Sequence, residues 1–199
     1  MPQGQRRNGD RRYAPAPVPY CPACASPLPQ RPPVTCPACD TEHYRNAKPC
    51  AGALIMREGR LLLLRRTIDP WRGRWDIPGG FCDAEEHPID AARREALEEA
   101  GLEVEITGLL GLWLDVYPDP GAPDQPAVTL NAYYHATAPG DAPGEADPSE
   151  ASELGWFAPD ELPEQIAFPN HALAVLAAWR DALRERRTVT PLPDRPGRA

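Results

Sequence analysis

The sequence predicts an α/β domain preceded by a small metal-stapled module. Three observations carry this. β-prone apolar runs alternate with turn residues through most of the chain, and two helices, one acidic and one with an apolar stripe, interrupt and close that series. Ahead of them, Cys21-Pro-Ala-Cys24 and Cys36-Pro-Ala-Cys39 form two C-x2-C pairs separated by eleven residues.

Met1 to Pro19 is Pro- and Arg-rich without a hydrophobic period, the composition of a disordered tail. Tyr20 to Pro49 is the metal module. Its two knuckles supply four thiolates, Cys21, Cys24, Cys36 and Cys39, for one tetrahedral structural zinc. A disulfide pair is the competing reading and needs an oxidising compartment, yet Met1 to Tyr20 lacks the apolar core of a secretory signal. So short a stretch cannot bury a core of its own, which is why a metal has to hold it. Cys50 and Cys82 are left as packing thiols, and His43 reads as a surface residue because four sulfurs complete the shell.

Cys50 to Arg187 forms the larger domain. Cys50–Met56 and Leu61–Arg66 make a hairpin around Arg57-Glu58-Gly59-Arg60, and Trp75-Asp76-Ile77 is a short strand ending in Pro78-Gly79-Gly80, a break that lets backbone approach a ligand. Strands follow near Val104–Thr107, Leu110–Val116, Ala127–Ala138 and Glu153–Phe157, with Pro/Gly/Asp-rich loops at 118–126 and 139–148. Asp160 to Leu162 opens a turn. Asn170 caps a last helix running through Arg187, with Leu173, Leu176, Ala177, Trp179 and Leu183 as its buried stripe. A mobile tail from Thr188 to Ala199 ends the chain.

The chemistry concentrates on the first helix. If about Ile89 to Ala100 is helical, Glu95, Glu98 and Glu99 stand at i, i+3 and i+4 on one face. Three close carboxylates repel one another unless a cation sits among them, and hard divalent ions favour carboxylate oxygen together with substrate phosphate. Pro88 suits the first turn, Asp90 complements the positive end of the dipole, and Gly101 fits the left-handed residue past the end. Ile89, Ala96, Leu97 and Ala100 gather on the other side, so the helix docks on a sheet and leaves its acids open. A solvated acidic helix would not explain the two glycines and further acid at fixed offsets around it.

From Gly80 to Leu102 the spacing G-x5-E-x7-R-E-A-x-E-E-x-G-L resembles the Nudix box. The resemblance implies a loop–helix–loop on a Nudix α/β/α sandwich with a mixed sheet. It implies magnesium or manganese bound by Glu95, Glu98 and Glu99, with the Gly79 carbonyl as a further ligand. Arg94 and Glu86 would complete the catalytic set by holding the helix face and loop in place. One departure is Asp83-Ala84-Glu85-Glu86, where relatives often read Glu-x-Gly-Glu; Glu86 stays in register. A zinc ribbon followed by Tyr44-Arg-Asn-Ala-Lys-Pro49 resembles the branch that includes NADH pyrophosphatases and the ADP-ribose or FAD pyrophosphatases.

The implied reaction is metal-dependent hydrolysis of a nucleoside diphosphate linked to another moiety, the cations neutralising the oxyanions and acidifying a water. Its general base is left among Glu95, Glu145, Glu150 and Glu153. ADP-ribose is expected ahead of FAD or NAD(H). Leu109 to Pro120 lacks the Ser-Gln-Pro-Trp-Pro-Phe-Pro signature of NADH pyrophosphatases, and Pro118 lies sixteen places past the box (118 − 102 = 16), a marker suggested for ADP-ribose hydrolases. Trp71, Trp75, Trp113, Tyr117 and Phe168 are candidates to stack on a base.

A net charge of −8, from 21 basic against 29 acidic side chains, argues against nucleic acid and anionic membranes as partners. It therefore disfavours removal of an RNA cap, and the complete acid set disfavours a nucleotide sensor without turnover. No apolar run approaches the ~18 residues of a membrane span. A cytoplasmic protein is expected, with the ribbon as a candidate homodimer surface.

Overall fold

The computed structural model describes residues 19–118, 126–140 and 144–185. The expected terminal tails, most of the loop at 118–126, residues 141–143 of the loop at 139–148 and residues 186–187 lie outside the described residues; the last helix, expected to run through Arg187, ends at Arg184. Two compact units divide between Asn46 and Ala47.

In the first unit β1 (Val34–Thr35) pairs antiparallel with β2 (Glu42–His43). The two cysteine knuckles have the same fold. Ala25 N–H bonds the Cys21 carbonyl at 2.8 Å and Asp40 N–H bonds the Cys36 carbonyl at 2.9 Å, with both Ala25 and Asp40 at positive φ. Cys21 and Cys36 are buried beside Leu28, and no larger core exists among the described residues of this unit.

The second unit is built on a mixed sheet. β3 (Lys48–Arg57) and β4 (Arg60–Arg66) form the expected hairpin, closed at Arg57↔Arg60. β5 (Trp75–Asp76) pairs with β4, and β6 (Gly79–Phe81) pairs antiparallel with the start of β3. The Pro-Gly-Gly segment is therefore a break and then a strand. β7 (Glu105–Pro118) and β8 (Pro126–Thr137) are antiparallel partners, β8 runs parallel to β3, and β9 (Ala151–Phe157) pairs with β4. The long path reads β5-β4-β3-β8-β7. The two strands expected around Gly108 are one bulged strand: register shifts at Ile106/Gly108 and Leu109/Gly111 each insert a residue, which looks like a break in sequence.

Helices cover both faces. α1 (Pro88–Ala100) packs with Ala51, Ala53, Ile55, Leu62 and Tyr134, whereas α2 (Pro169–Arg184) packs with Leu54, Leu61, Leu63 and Tyr133. Neighbouring residues of one strand thus serve opposite layers, the period-2 pattern of a sheet buried on both sides. The α/β/α sandwich expected from the sequence is present. No helix among the described residues is long and apolar enough to cross a membrane.

Three helix readings need correction. Leu97 of α1 is 50 % exposed, because small Ala92, Ala96 and Ala100 seat the helix on the sheet along a line that excludes it. On α2 the buried stripe is His171, Ala172, Val175, Leu176 and Trp179, while Leu173, Ala177 and Leu183 face outward. Asn170 does not cap α2. Pro169 starts the helix with its fixed φ, Phe168 is the cap residue, and the Asn170 amide donates to the Val116 carbonyl at 3.3 Å. Trp179 is fully buried as expected, and its replacement would leave a large cavity under the sheet. Trp179→Ala should cost about 3–5 kcal/mol, measured by denaturant unfolding with an unchanged m-value.

Candidate active site

The box begins where β5 ends. Gly79 lies so close to β3 that a Cβ there would stand 2.5 Å from the Ala51 carbonyl oxygen and 2.6 Å from the Gly52 Cα. Only glycine lets this backbone run bare along the cleft floor. α1 then starts after His87, whose ring nitrogen accepts the Ile89 N–H at 3.1 Å. It ends at Gly101 in the left-handed region, φ 63°, with N–H bonds back to the last turn.

Arg94 holds the loop to the helix. Its guanidinium meets both Glu86 oxygens at 2.9 and 2.8 Å, Glu95 at 2.8 Å, Glu98 at 2.9 Å and the Phe81 carbonyl at 3.0 Å. Glu86 also accepts the Asp83 N–H at 3.0 Å, which closes the loop ahead of the helix. Hydrogen bonding by Arg94 lowers the Glu86 pKa below the usual carboxylate value, and these carboxylates raise that of Arg94.

The three box acids occupy different environments. Glu98 is mostly exposed and turned to Arg94. Glu95 faces the cleft, and burial raises its pKa even beside Arg94. Glu99 is 6 % exposed, accepts the Gly79 N–H at 2.8 Å and makes no ion pair among the described residues. Burial raises its pKa well above the carboxylate norm, with Asp76 and Glu95 adding repulsion. A buried acid without a basic partner, beside a second acid and bare backbone, fits a hard divalent cation. The expectation of an open acidic face holds for Glu98 alone; the Ala92-Ala96-Ala100 seat draws Glu99 inside.

A cleft of roughly 460 Å³ runs from Gly79, Gly80, Glu95, Glu99 and Glu150 to a far wall on β7, β8 and α2. Of the later acids only Glu150 lines it. Glu145 lies beside the C-cap of α1, its N–H on the Ala100 carbonyl at 2.9 Å, and Glu153 pairs with Arg65 at 3.5 Å. Among the aromatic candidates, Tyr117 and Phe168 reach the cleft, while Trp75 packs on Phe157 and Trp113 on Tyr133. Arg66 lies over the Phe168 ring and binds Asp76 at 2.9 Å; burial nonetheless pushes the Asp76 pKa up. The far wall, with Asp115 and His171, was not anticipated. An aspartate inside the apolar run Leu109–Val116 is the one signal the sequence offers for it.

In the ribbon the four sulfurs lie within 4.8 Å of one another, with Cys21–Cys39 and Cys24–Cys36 at 3.7 Å. A tetrahedron of Zn–S bonds of about 2.3 Å has edges of about 3.8 Å, whereas a disulfide needs about 2.05 Å. The donor set therefore fits zinc. His43 is corrected: its Nε2 is 3.2 Å from Cys21 Sγ, so it buttresses a thiol instead of standing free at the surface. Cys50 and Cys82 are partly buried, and burial pushes the Cys50 thiol up to about 12, which suits packing.

The NUDIX domain family matches residues 47–178, and the chain belongs to that family. It carries a Nudix hydrolase domain. It is 31 % identical to a MutT-like protein of Streptomyces ambofaciens over 59 % of this chain and 67 % of that one. Identity to the mitochondrial NAD(P)H pyrophosphatase NUDT13 of Homo sapiens is 33 %, over 64 % of this chain and 34 % of the human one. With an ADP-ribose pyrophosphatase of Methanocaldococcus jannaschii it is 31 %, over 39 % and 46 %. The match thus spans less than half the length of the last two relatives. A Nudix hydrolase structure from Nitrosomonas europaea superposes with TM-score 0.65 at 29 % identity, covering 86 % of this chain and 94 % of that one.

Two outcomes test this site. Protein purified under reducing conditions should hold one zinc per chain, and Cys36→Ser should lose it, by elemental analysis. Glu99, with its raised folded pKa, contributes stability that is full below the unfolded value near 4.5 and lost as pH rises through the folded value. Glu99→Gln should therefore raise the thermal midpoint of metal-free protein at pH 8 by a few degrees, yet abolish the stabilisation that added magnesium gives wild type.

Proposed function

We propose that this domain hydrolyses the diphosphate bridge of a nucleoside diphosphate joined to a second moiety, ADP-ribose foremost, releasing AMP and ribose 5-phosphate. One observation carries the reading: buried Glu99 and half-buried Glu95 flank bare Gly79-Gly80 backbone at one end of a cleft that continues well beyond them. Such a floor suits a diphosphate, and the remaining length suits a group on its far side. The likeness to an ADP-ribose pyrophosphatase supports the first choice. The likeness to an NAD(P)H pyrophosphatase makes a dinucleotide, NAD(H) or FAD, the second.

Glu95 and Glu99 with the Gly79 carbonyl, and Glu98 at the rim, would hold magnesium or manganese. When bound, such cations neutralise the diphosphate oxyanions and lower the pKa of water. Arg94 keeps Glu95 and Glu98 oriented toward that task and ties Glu86 and the Phe81 carbonyl to the same helix. Glu150 is the general base. It lines the cleft, and its charge acts on both Glu95 and Glu99. It takes the proton of the attacking water as the new P–O bond forms, the bridging P–O bond breaks and the second phosphate departs as an anion.

Purified protein with magnesium or manganese should cleave at least one of ADP-ribose, FAD, NADH and sugar nucleotides, with product identity read by chromatography. Glu98→Gln and Glu150→Gln should lower kcat, the latter by about 10²–10⁴-fold, while Glu153→Gln should not. Absence of turnover across the panel would remove the proposal.

A further inference from the structure

Glu150 stands on a segment, residues 144–150, that is neither helix nor strand, yet its backbone is tied on two sides. On one side it leans on the last turn of α1. The Glu145 N–H donates to the Ala100 carbonyl at 2.9 Å, and the Asp147 N–H donates to the Glu99 carbonyl at 3.2 Å. Two glycines permit that approach. A Cβ on Gly144 would stand 2.8 Å from the Ala100 carbonyl oxygen, and one on Gly101 would stand 3.1 Å from the Glu145 nitrogen. On the other side the segment meets Thr67, the residue after β4. The Thr67 N–H donates to the Glu150 carbonyl at 2.8 Å, and its hydroxyl donates to the Ser149 carbonyl at 2.9 Å.

These ties converge on Asp147. Its Oδ1 accepts the Ser149 N–H at 2.8 Å and the Ser149 hydroxyl at 2.7 Å. Its carbonyl accepts the Glu150 N–H at 3.0 Å and the Ala151 N–H at 2.7 Å. An aspartate that closes a turn over the following residues is a common surface device. Here the turn joins two groups of one site. The Asp147 N–H rests on the backbone of Glu99 and its carbonyl on the backbone of Glu150, and both of those acids line the cleft. A general base works only within hydrogen-bond reach of the water it activates, so a displacement of about 1 Å is enough to lower the rate.

We infer that Asp147 is a positioning residue for Glu150: its side chain folds the turn that presents Glu150 to the cleft at a fixed offset from Glu99, and Thr67 pins that turn to the end of β4. Asp147 is not among the residues lining the cleft, so it acts through Glu150 and not on the substrate. The inference rests on the hydrolytic reading with Glu150 as base, and goes beyond it in naming what aims the base.

The full chain is assayed with magnesium on whichever of ADP-ribose, FAD, NADH and the sugar nucleotides it cleaves fastest. Asp147→Ala should lower kcat by about 10- to 100-fold and leave KM within about threefold of wild type. Asp147→Asn keeps the Oδ1 acceptor and should stay within about threefold of wild type in both. In a Glu150→Gln background Asp147→Ala should cost nothing further, because it acts only through the base. The rise in thermal midpoint that magnesium gives should be the same in Asp147→Ala as in wild type, since the N–H on the Glu99 carbonyl remains. Thr67→Val, which removes one hydroxyl tie, carries the same cycle if Asp147→Ala fails to fold. Equal losses of kcat with and without Glu150→Gln, or a lost magnesium effect, overturn the positioning role. So does an Asp147→Asn variant as slow as Asp147→Ala, or an Asp147→Ala variant as fast as wild type. A Glu150→Gln variant as active as wild type removes Glu150 as base and this inference with it; no turnover on any of the substrates removes the hydrolytic reading itself.

Discussion

Arg94 divides one guanidinium among three pieces of chain: Glu86 from the loop, Glu95 and Glu98 from α1, and the Phe81 carbonyl at the end of β6. Loop, helix and strand are fixed to one another by that fork, in a geometry lysine cannot reproduce. The charge count is as informative as the geometry. One cation serves three carboxylates, and Glu99 receives none of it. Glu99 is left at the inner end of α1 without a basic partner among the described residues, beside backbone that no side chain covers.

The cleft is therefore unlike at its two ends. At the acidic end the exposed surface is carboxylate and main chain, from Glu95, Glu99 and Gly79-Gly80. At the other end it is polar side chains around one carboxylate, drawn from β7, β8 and α2. Tyr133 ties the halves together mechanically. It stands on β8 directly beside Gly52 of β3, the strand that Gly79 pairs with, while its hydroxyl holds His171.

Much of this was legible in the chain because it is written in local signals. Pro88, Asp90 and Gly101 mark the ends of α1, and the two C-x2-C pairs need no tertiary information to be read. What failed was phase. A helical wheel says which residues lie together, not how far a sheet will cover the stripe. Small Ala92, Ala96 and Ala100 let α1 sit low, which buries Glu99 and strands Leu97 outside. The same ambiguity moved the α2 stripe off Leu173 and Leu183 and onto His171. A polar residue on a covered face breaks the hydrophobic pattern. Asp115 and Tyr133, which explain His171, come from strands distant in sequence, so no local window contains the reason for it.

The bare run at Gly79-Gly80 has a further consequence for how such a domain diverges. A Cβ at Gly79 would collide with the backbone of Ala51 and Gly52, and one at Gly80 with the Glu95 carboxylate. Substitution at Gly79 meets backbone that cannot give way, and at Gly80 a carboxylate that Arg94 holds in place, so this end of the cleft resists change. Novelty in what the domain accepts must arise at the opposite pole, where ordinary side chains can be exchanged one at a time.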